Sequence, residues 1–279
     1  MVNIMTFDVE EWYHANYKNC VQEQCSKNSN LECNIDRILE LCRKNNCKAT
    51  FFILSDIAKA KRSMIKDIIS EGHEIASHGC SHELAYSQSY EDFIEDVKTS
   101  VSILEDITGR KVLGYRAPSW SIVEKNLNYI EGLAELGLKY DASIFPTKTF
   151  LYGIPHAKRE IHKPVINGKQ LNIYEVPASV FNFFGMGVGF SGGFYFRLFP
   201  YKMLNSLIKK RCKNNIPTVI YLHPREIDAN ENKLALPPWQ SFIHYCNVSK
   251  TFDKLEKVTK DFKFTSIEGY LVDNKMLVV

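Results

Sequence analysis

The chain has almost no excess charge: 35 Lys+Arg stand against 32 Asp+Glu in 279 residues, a formal net charge of +3. That is too small to indicate nucleic acid or an anionic membrane as a partner. Cys20, Cys25, Cys33, Cys42 and Cys47 form no CxxC pair, so the spacing of a structural zinc cluster is missing. No basic and apolar leader precedes Asp8 in Met1-Val2-Asn3-Ile4-Met5-Thr6-Phe7-Asp8. The expectation is a cytoplasmic chain without a secretory signal, its eight cysteines free thiols in a reducing compartment. Long aliphatic runs are lacking too. The one long charge-free stretch, residues 176–196, contains Pro177, Asn182 and five glycines: Gly185, Gly187, Gly189, Gly192 and Gly193. It reads as a glycine-aromatic loop region, not a transmembrane segment, and residues 181–196 are a candidate contact surface for a homo-oligomer.

What is present is ordinary globular composition, 45% hydrophobic and 24% charged, which excludes disorder for the bulk of the chain. Strand-like runs alternate with amphipathic ones. Residues 3–7, 48–54, 73–76, 111–115, 138–141, 172–176, 218–222 and 262–266 read as strands. Between them, 35–43, 64–70, 90–108, 124–136, 201–214 and 250–261 read as helices; Ile35, Ile38, Leu39 and Cys42 share one stripe of the first. Ser89 is a helix N-cap, and Gly109 and Gly137 are stop signals. This alternation predicts an α/β fold, a parallel barrel or wound sheet, built as a single domain over 1–279.

Chemistry-bearing residues gather at strand ends. Along Thr6-Phe7-Asp8-Val9-Glu10, alternation turns Asp8 and Glu10 to one side and Val9 to the other. Glu11 points away, as a surface or supporting acid. His78 and His82 in Ser77-His78-Gly79-Cys80-Ser81-His82 are four apart, a spacing that lets one helical turn present both imidazoles to a metal, with Cys80 turned elsewhere. With one carboxylate they complete a two-His, one-carboxylate set suited to zinc. Arg116, ahead of Ala117-Pro118-Ser119-Trp120, could orient a carboxylate through a bidentate pair, with Asp141 a candidate partner. His223 in Ile220-Tyr221-Leu222-His223-Pro224 ends a buried strand, either as a core histidine or as a catalytic acid.

In this order the motifs resemble those of the polysaccharide deacetylase family, the NodB-homology carbohydrate esterases (carbohydrate esterase family 4). The matching pieces are Thr6-Phe7-Asp8, His78-x-x-x-His82, Arg116-x-Pro118, Tyr140-Asp141 and Leu222-His223-Pro224. The Asp8-Val9-Glu10 start, Gly192-Gly193-Phe194 and its sequel to Tyr201, and His223-Pro224-Arg225-Glu226-Ile227-Asp228 look closest to a subgroup tied to bacterial surface-polysaccharide assembly. The resemblance implies a distorted (β/α) barrel of seven strands, with a C-terminal extension, and metal-dependent N-deacetylation of acetamido sugars.

Carried over by position, Asp8 would be the general base and His223 the general acid. Glu10, His78 and His82 would hold zinc or another divalent ion such as cobalt, nickel or iron. Arg116 would orient Asp8 and Asp141 would pair with Arg116. Ser119, Trp120, Tyr221 and Leu222 would bind substrate, a backbone N–H near Ser119 holding the oxyanion. Many relatives carry two adjacent aspartates at the first motif, where this chain has Glu10 one residue later. The substrate would be an N-acetylated sugar in a polysaccharide or in its nucleotide- or lipid-linked precursor. Rival readings are hydrolysis of a cyclic amide on the same barrel, a ferrous oxygenase, and a catalytically silent sugar-binding module.

Overall fold

In the computed structural model, residues 1–14, 16, 29–149 and 152–277 are described; Cys20 and Cys25 lie outside them. The first strand, β1 (Val2–Val9), is buried on both faces from Asn3 onward, as a central parallel strand must be. It pairs on one side with β2 (Thr50–Ile53), which pairs with β3 (Glu74–Ser77), then β4 (Gly114–Tyr115), β5 (Tyr140–Asp141) and β6 (Tyr174–Glu175), all parallel. On its other side β1 pairs with β7 (Val219–Leu222) and, nearer its start, with β8 (Lys263–Thr265). Seven strands from β7 to β6 thus form one curled sheet, the (β/α) barrel expected, with β8 beside β1 at the base.

β6 and β7, the two ends of this series, do not pair with each other. The seam between them is closed by Ser179 Oγ, which accepts from Val219 N–H at 3.0 Å, and by Tyr221 N–H donating to the Ser191 carbonyl at 3.2 Å. Gly192 is required here: a Cβ on it would meet the Tyr221 carbonyl oxygen at 2.2 Å.

Local signals explain most elements. The helix Tyr90–Thr108 begins at Ser89, whose side chain accepts from Asp92 N–H, and ends at Gly109 in the left-handed conformation (φ 64°). Three expectations need correction. The strand read over 111–115 shrinks to Gly114–Tyr115, because Val112 N–H is taken by the Glu105 carboxylate at 3.1 Å and not by a neighbouring strand. The helix read over 124–136 is a 3-10 turn, Glu124–Asn126, followed by a shorter helix, Tyr129–Glu135. Residues 176–196 are not simply loop. They hold an antiparallel hairpin, Val180–Phe183 with Met186–Gly189, and then the helix Gly193–Leu198. Phe184 at the hairpin tip is 90% exposed, with Phe183 and Met186 exposed beside it. Among the described residues no helix is long and apolar enough to cross a membrane.

Candidate metal centre and catalytic pocket

The carboxyl end of β1 delivers two acids to one side. Val9 packs into the core while Asp8 and Glu10 turn inward, as alternation requires. Glu10 Oε1 lies 3.1 Å from His78 Nε2 and 2.9 Å from His82 Nε2, and one donor atom from each of the three residues falls within 4.8 Å of the others. His78 Nδ1 is 2.8 Å from the Arg116 carbonyl, which only accepts, so Nδ1 carries the proton in the neutral ring. Its Nε2 lone pair then faces a carboxylate oxygen with no proton between them, an arrangement that a divalent cation resolves. The three residues therefore fit a metal. Without an ion, the rings would have to be protonated to face Glu10: burial pushes its carboxyl up, but the charges of His82 and His223 and hydrogen bonds from protonated His78 and His82 outweigh it and hold it well below the usual range.

The two histidines meet by a different route from the helical turn expected of their spacing. They lie on an irregular loop after β3, in which Gly79 (φ 82°) and His82 (φ 67°) are both left-handed. Cys80 stays out of the cluster, as expected, though on a loop and not a helical turn; it packs on Asp96.

Arg116 is the largest fully buried side chain among the described residues, 1% exposed. Its Nη1 donates to Asp8 Oδ1 at 2.6 Å and to Thr6 Oγ1 at 2.9 Å, and Nε donates to the Ala142 carbonyl at 3.1 Å. The guanidinium stacks between Phe52 and Trp120, 4.1 and 4.9 Å from the ring centroids. It thus fixes Asp8, but through one nitrogen and not a bidentate fork. Asp141 does not pair with Arg116. It accepts from Ser143 Oγ and lies beside Glu175, the residue opposite it in the β5–β6 register. Burial of the two carboxyls together pushes Asp141 up to about 6 and Glu175 well above its usual value.

Across the pocket, His223 Nε2 is 4.0 Å from Asp8 Oδ2 and 3.6 Å from Glu10 Oε1. Behind it, Nδ1 is 3.0 Å from Glu226 Oε2, and Glu226 Oε1 is 2.8 Å from Arg197 Nε. Burial lowers the His223 pKa, but Glu10 and Glu226 together raise it above the ordinary value. Glu226 is thus the supporting acid; Asp228 instead accepts from Asn30 at 2.8 Å. Trp120 and Tyr221 meet edge to face at 5.0 Å and line the pocket together with Ser119. Leu222 does not bind there: between two inward residues, it faces the outer core with no exposure.

Arg197 and His14 are among the pocket residues that escaped the sequence reading. Arg197, 3% exposed, braces Glu226 from the helix Gly193–Leu198. His14 stacks on His82 at 5.6 Å, and burial lowers its pKa to about 4. Neither has a spacing signal; each is recruited from a segment distant in sequence or from an irregular turn. Glu11, read as a surface or a supporting acid, is buried, which rules out the first, and accepts from Ser29 Oγ at 2.8 and 2.7 Å.

A curled parallel barrel with a Glu-His-His cluster, an arginine-held acid and a carboxylate-braced histidine at its carboxyl end places the chain among α/β-barrel enzymes. Residues 5–140 match the polysaccharide deacetylase family model, and 142–272 match a domain of unknown function (DUF3473). Residues 5–140, just under half of the chain, thus carry a polysaccharide deacetylase domain. The chain is 30% identical over 159 residues, 53% of each chain, to the peptidoglycan deacetylase of Helicobacter pylori. It is also 29% identical over 93 residues to the peptidoglycan-N-acetylglucosamine deacetylase of Bacillus cereus, covering 33% of this chain and 34% of that one. The matched stretches thus span about half or less of these relatives. Among solved structures, a Mycobacterium smegmatis protein assigned to the polysaccharide deacetylases superposes with a TM-score of 0.65 at 17% identity, covering 99% of this chain and 91% of that one. A point mutant of the peptidoglycan deacetylase PdaC of Bacillus subtilis gives 0.51 at 12% identity, with 99% and 92% coverage. At these identities the likeness is one of fold.

Proposed function

We propose that the protein removes the N-acetyl group from an acetamido sugar, in a polysaccharide or in its nucleotide- or lipid-linked precursor, and releases acetate. The observation that carries this reading is the placement of Asp8 and His223 on facing sides of one pocket, with the Glu10-His78-His82 cluster between them. Glu10, His78 and His82 would hold a divalent ion, zinc or a similar metal such as cobalt, nickel or iron; bound there, it polarises the amide carbonyl and acidifies water. Asp8 Oδ1 is occupied by Arg116, which leaves Oδ2 facing the pocket to take a proton from the attacking water. His223, whose Nδ1 side is held by Glu226, presents its Nε2–H to the departing amine nitrogen. The products are acetate and the free amine. Trp120 and Tyr221 would wall the acetyl methyl, and a Ser119 N–H would help to hold the oxyanion.

Acetate release from N-acetylglucosamine oligomers tests the reading. Asp8→Asn and His223→Ala should each lose ~10²–10⁴-fold in rate while metal content stays at the wild-type level. Hydrolysis of cyclic amides without acetate release, or near wild-type rates in either variant, would overturn it. A reducing compartment, and self-association through the exposed hairpin tip, complete the proposal; sedimentation of a Phe184→Ser variant that still forms the wild-type oligomer would remove the second.

A further inference from the structure

Three arginines serve the catalytic cleft, and two are matched by acids: Arg116, behind the wall, by Asp8, and Arg197 by Glu226. The third, Arg225, is two residues past His223 in the turn Pro224–Ile227 and lines the same cleft beside Phe194 and Ile243. Among the described residues no carboxylate lies within ion-pairing distance of it. Its Nη1 is 2.9 Å from His244 Nε2, and its Nε is sealed from solvent with no hydrogen-bond partner. Burial, with Arg225 and Arg197 close by, lowers the His244 pKa to about 2, so a neutral ring accepts from the guanidinium and aims it. Asp228 and Glu231 line the adjoining cavity on the far side of Arg225, Asp228 already engaged by Asn30. On the cleft side Glu226 is taken by Arg197 and His223, so Arg225 has no acid of its own there.

A guanidinium fork held this way suits one ligand chemistry, a planar or tetrahedral oxyanion taken by two N–H groups. We propose that Arg225 is a substrate-recognition residue that binds a carboxylate or phosphoryl group carried next to the acetamido sugar, making the preferred substrate an anionic saccharide. The inference rests on the deacetylase reading and narrows it from any N-acetylated sugar to charged ones.

The test uses the metal-loaded, full-length protein with three substrates: a neutral N-acetylglucosamine oligomer, an oligomer of equal length alternating N-acetylglucosamine with glucuronic acid, and UDP-N-acetylglucosamine. One of the two anionic substrates should exceed the neutral one in kcat/KM by about 10- to 100-fold, mostly through KM, as expected for a charged hydrogen-bonded contact. Which one it is separates a carboxylate from a phosphoryl source. Arg225→Gln should reduce that ratio to about one, and Arg225→Lys should recover part of it, with unchanged melting temperatures showing that both variants fold. Equal kcat/KM for all three substrates, or a preference that survives Arg225→Gln, overturns the inference and leaves the deacetylase reading standing. If none is deacetylated, that reading falls. Calorimetric binding of the two anionic compounds to wild type and Arg225→Lys then decides recognition: weaker binding by the lysine variant supports it, equal or absent binding overturns it.

Discussion

Glu74 offers a measurement that does not depend on the reaction. It opens β3, at the end of the strand remote from His78, and is 7% exposed. Thr50 Oγ1, Tyr140 Oη and Glu268 N–H all donate to its carboxyl, at 2.5, 2.7 and 3.0 Å. Burial outweighs these donors and raises the pKa from 4.5 to about 7. The folded protein therefore holds this proton more tightly than the unfolded chain does, so stability falls as pH rises from 4.5 to 7 and is level above that. A difference of about 2.5 units at 1.36 kcal/mol each makes the full loss about 3 kcal/mol. Glu74→Gln removes the titration and keeps the contacts, since its oxygen can accept from Thr50 and Glu268 while its amide donates to the Tyr140 hydroxyl. Urea unfolding of both proteins at constant ionic strength in chelator, between pH 4.5 and 8, should show wild type losing about 3 kcal/mol relative to the variant. A difference that stays flat with pH, or that slopes the other way, refutes the reasoning.

Metal analysis should find one divalent ion per chain in wild type and essentially none after His78→Ala combined with His82→Ala; full retention would dismiss the Glu10-His78-His82 assignment. The raised pKa of His223 means that activity requiring its proton is present at lower pH and is lost as pH rises through that pKa. Glu226→Gln removes the negative charge facing Nδ1, so the alkaline limb of kcat/KM should move to lower pH, and an unmoved limb would show that Glu226 does not sustain the acid. Thiol titration of freshly purified, non-reduced, unfolded protein should find most of the eight cysteines reactive; four disulfides would contradict a reducing compartment.

Legibility in the sequence followed the periodicity of each element. The helix Tyr90–Thr108 was readable to the residue because its cap, apolar stripe and glycine stop agree. The same alternation along β1 predicted the common direction of Asp8 and Glu10, and applied along β7 it separates Tyr221 and His223 from Leu222. What escaped were contacts settled by tertiary packing. Asp141 ends β5 and Arg116 directly follows β4, yet the register puts Glu175 and not Arg116 beside Asp141. Arg197 belongs to a segment whose glycine and aromatic content hid both a hairpin and a helix. The meeting of His78 with His82 depends on left-handed backbone in a loop that their spacing alone does not reveal.

The seam between β6 and β7 has a consequence for how such enzymes diversify. Asp8 lies in β1, and Glu10, His78 and Arg116 follow directly on β1, β3 and β4, strands locked by continuous pairing, where one inserted residue would turn every side chain to the wrong face. The hairpin Val180–Phe183 with Met186–Gly189 hangs instead between two fixed points, Ser179 and Gly192, each tied to β7 by the backbone or a single hydroxyl. It can lengthen or shorten by whole residue pairs without shifting either anchor, and Tyr195 and Arg197 follow directly after the second. Length variation among relatives should therefore collect in this span, so that new substrates are met by changing an adjustable rim while the hydrolytic centre stays as it is.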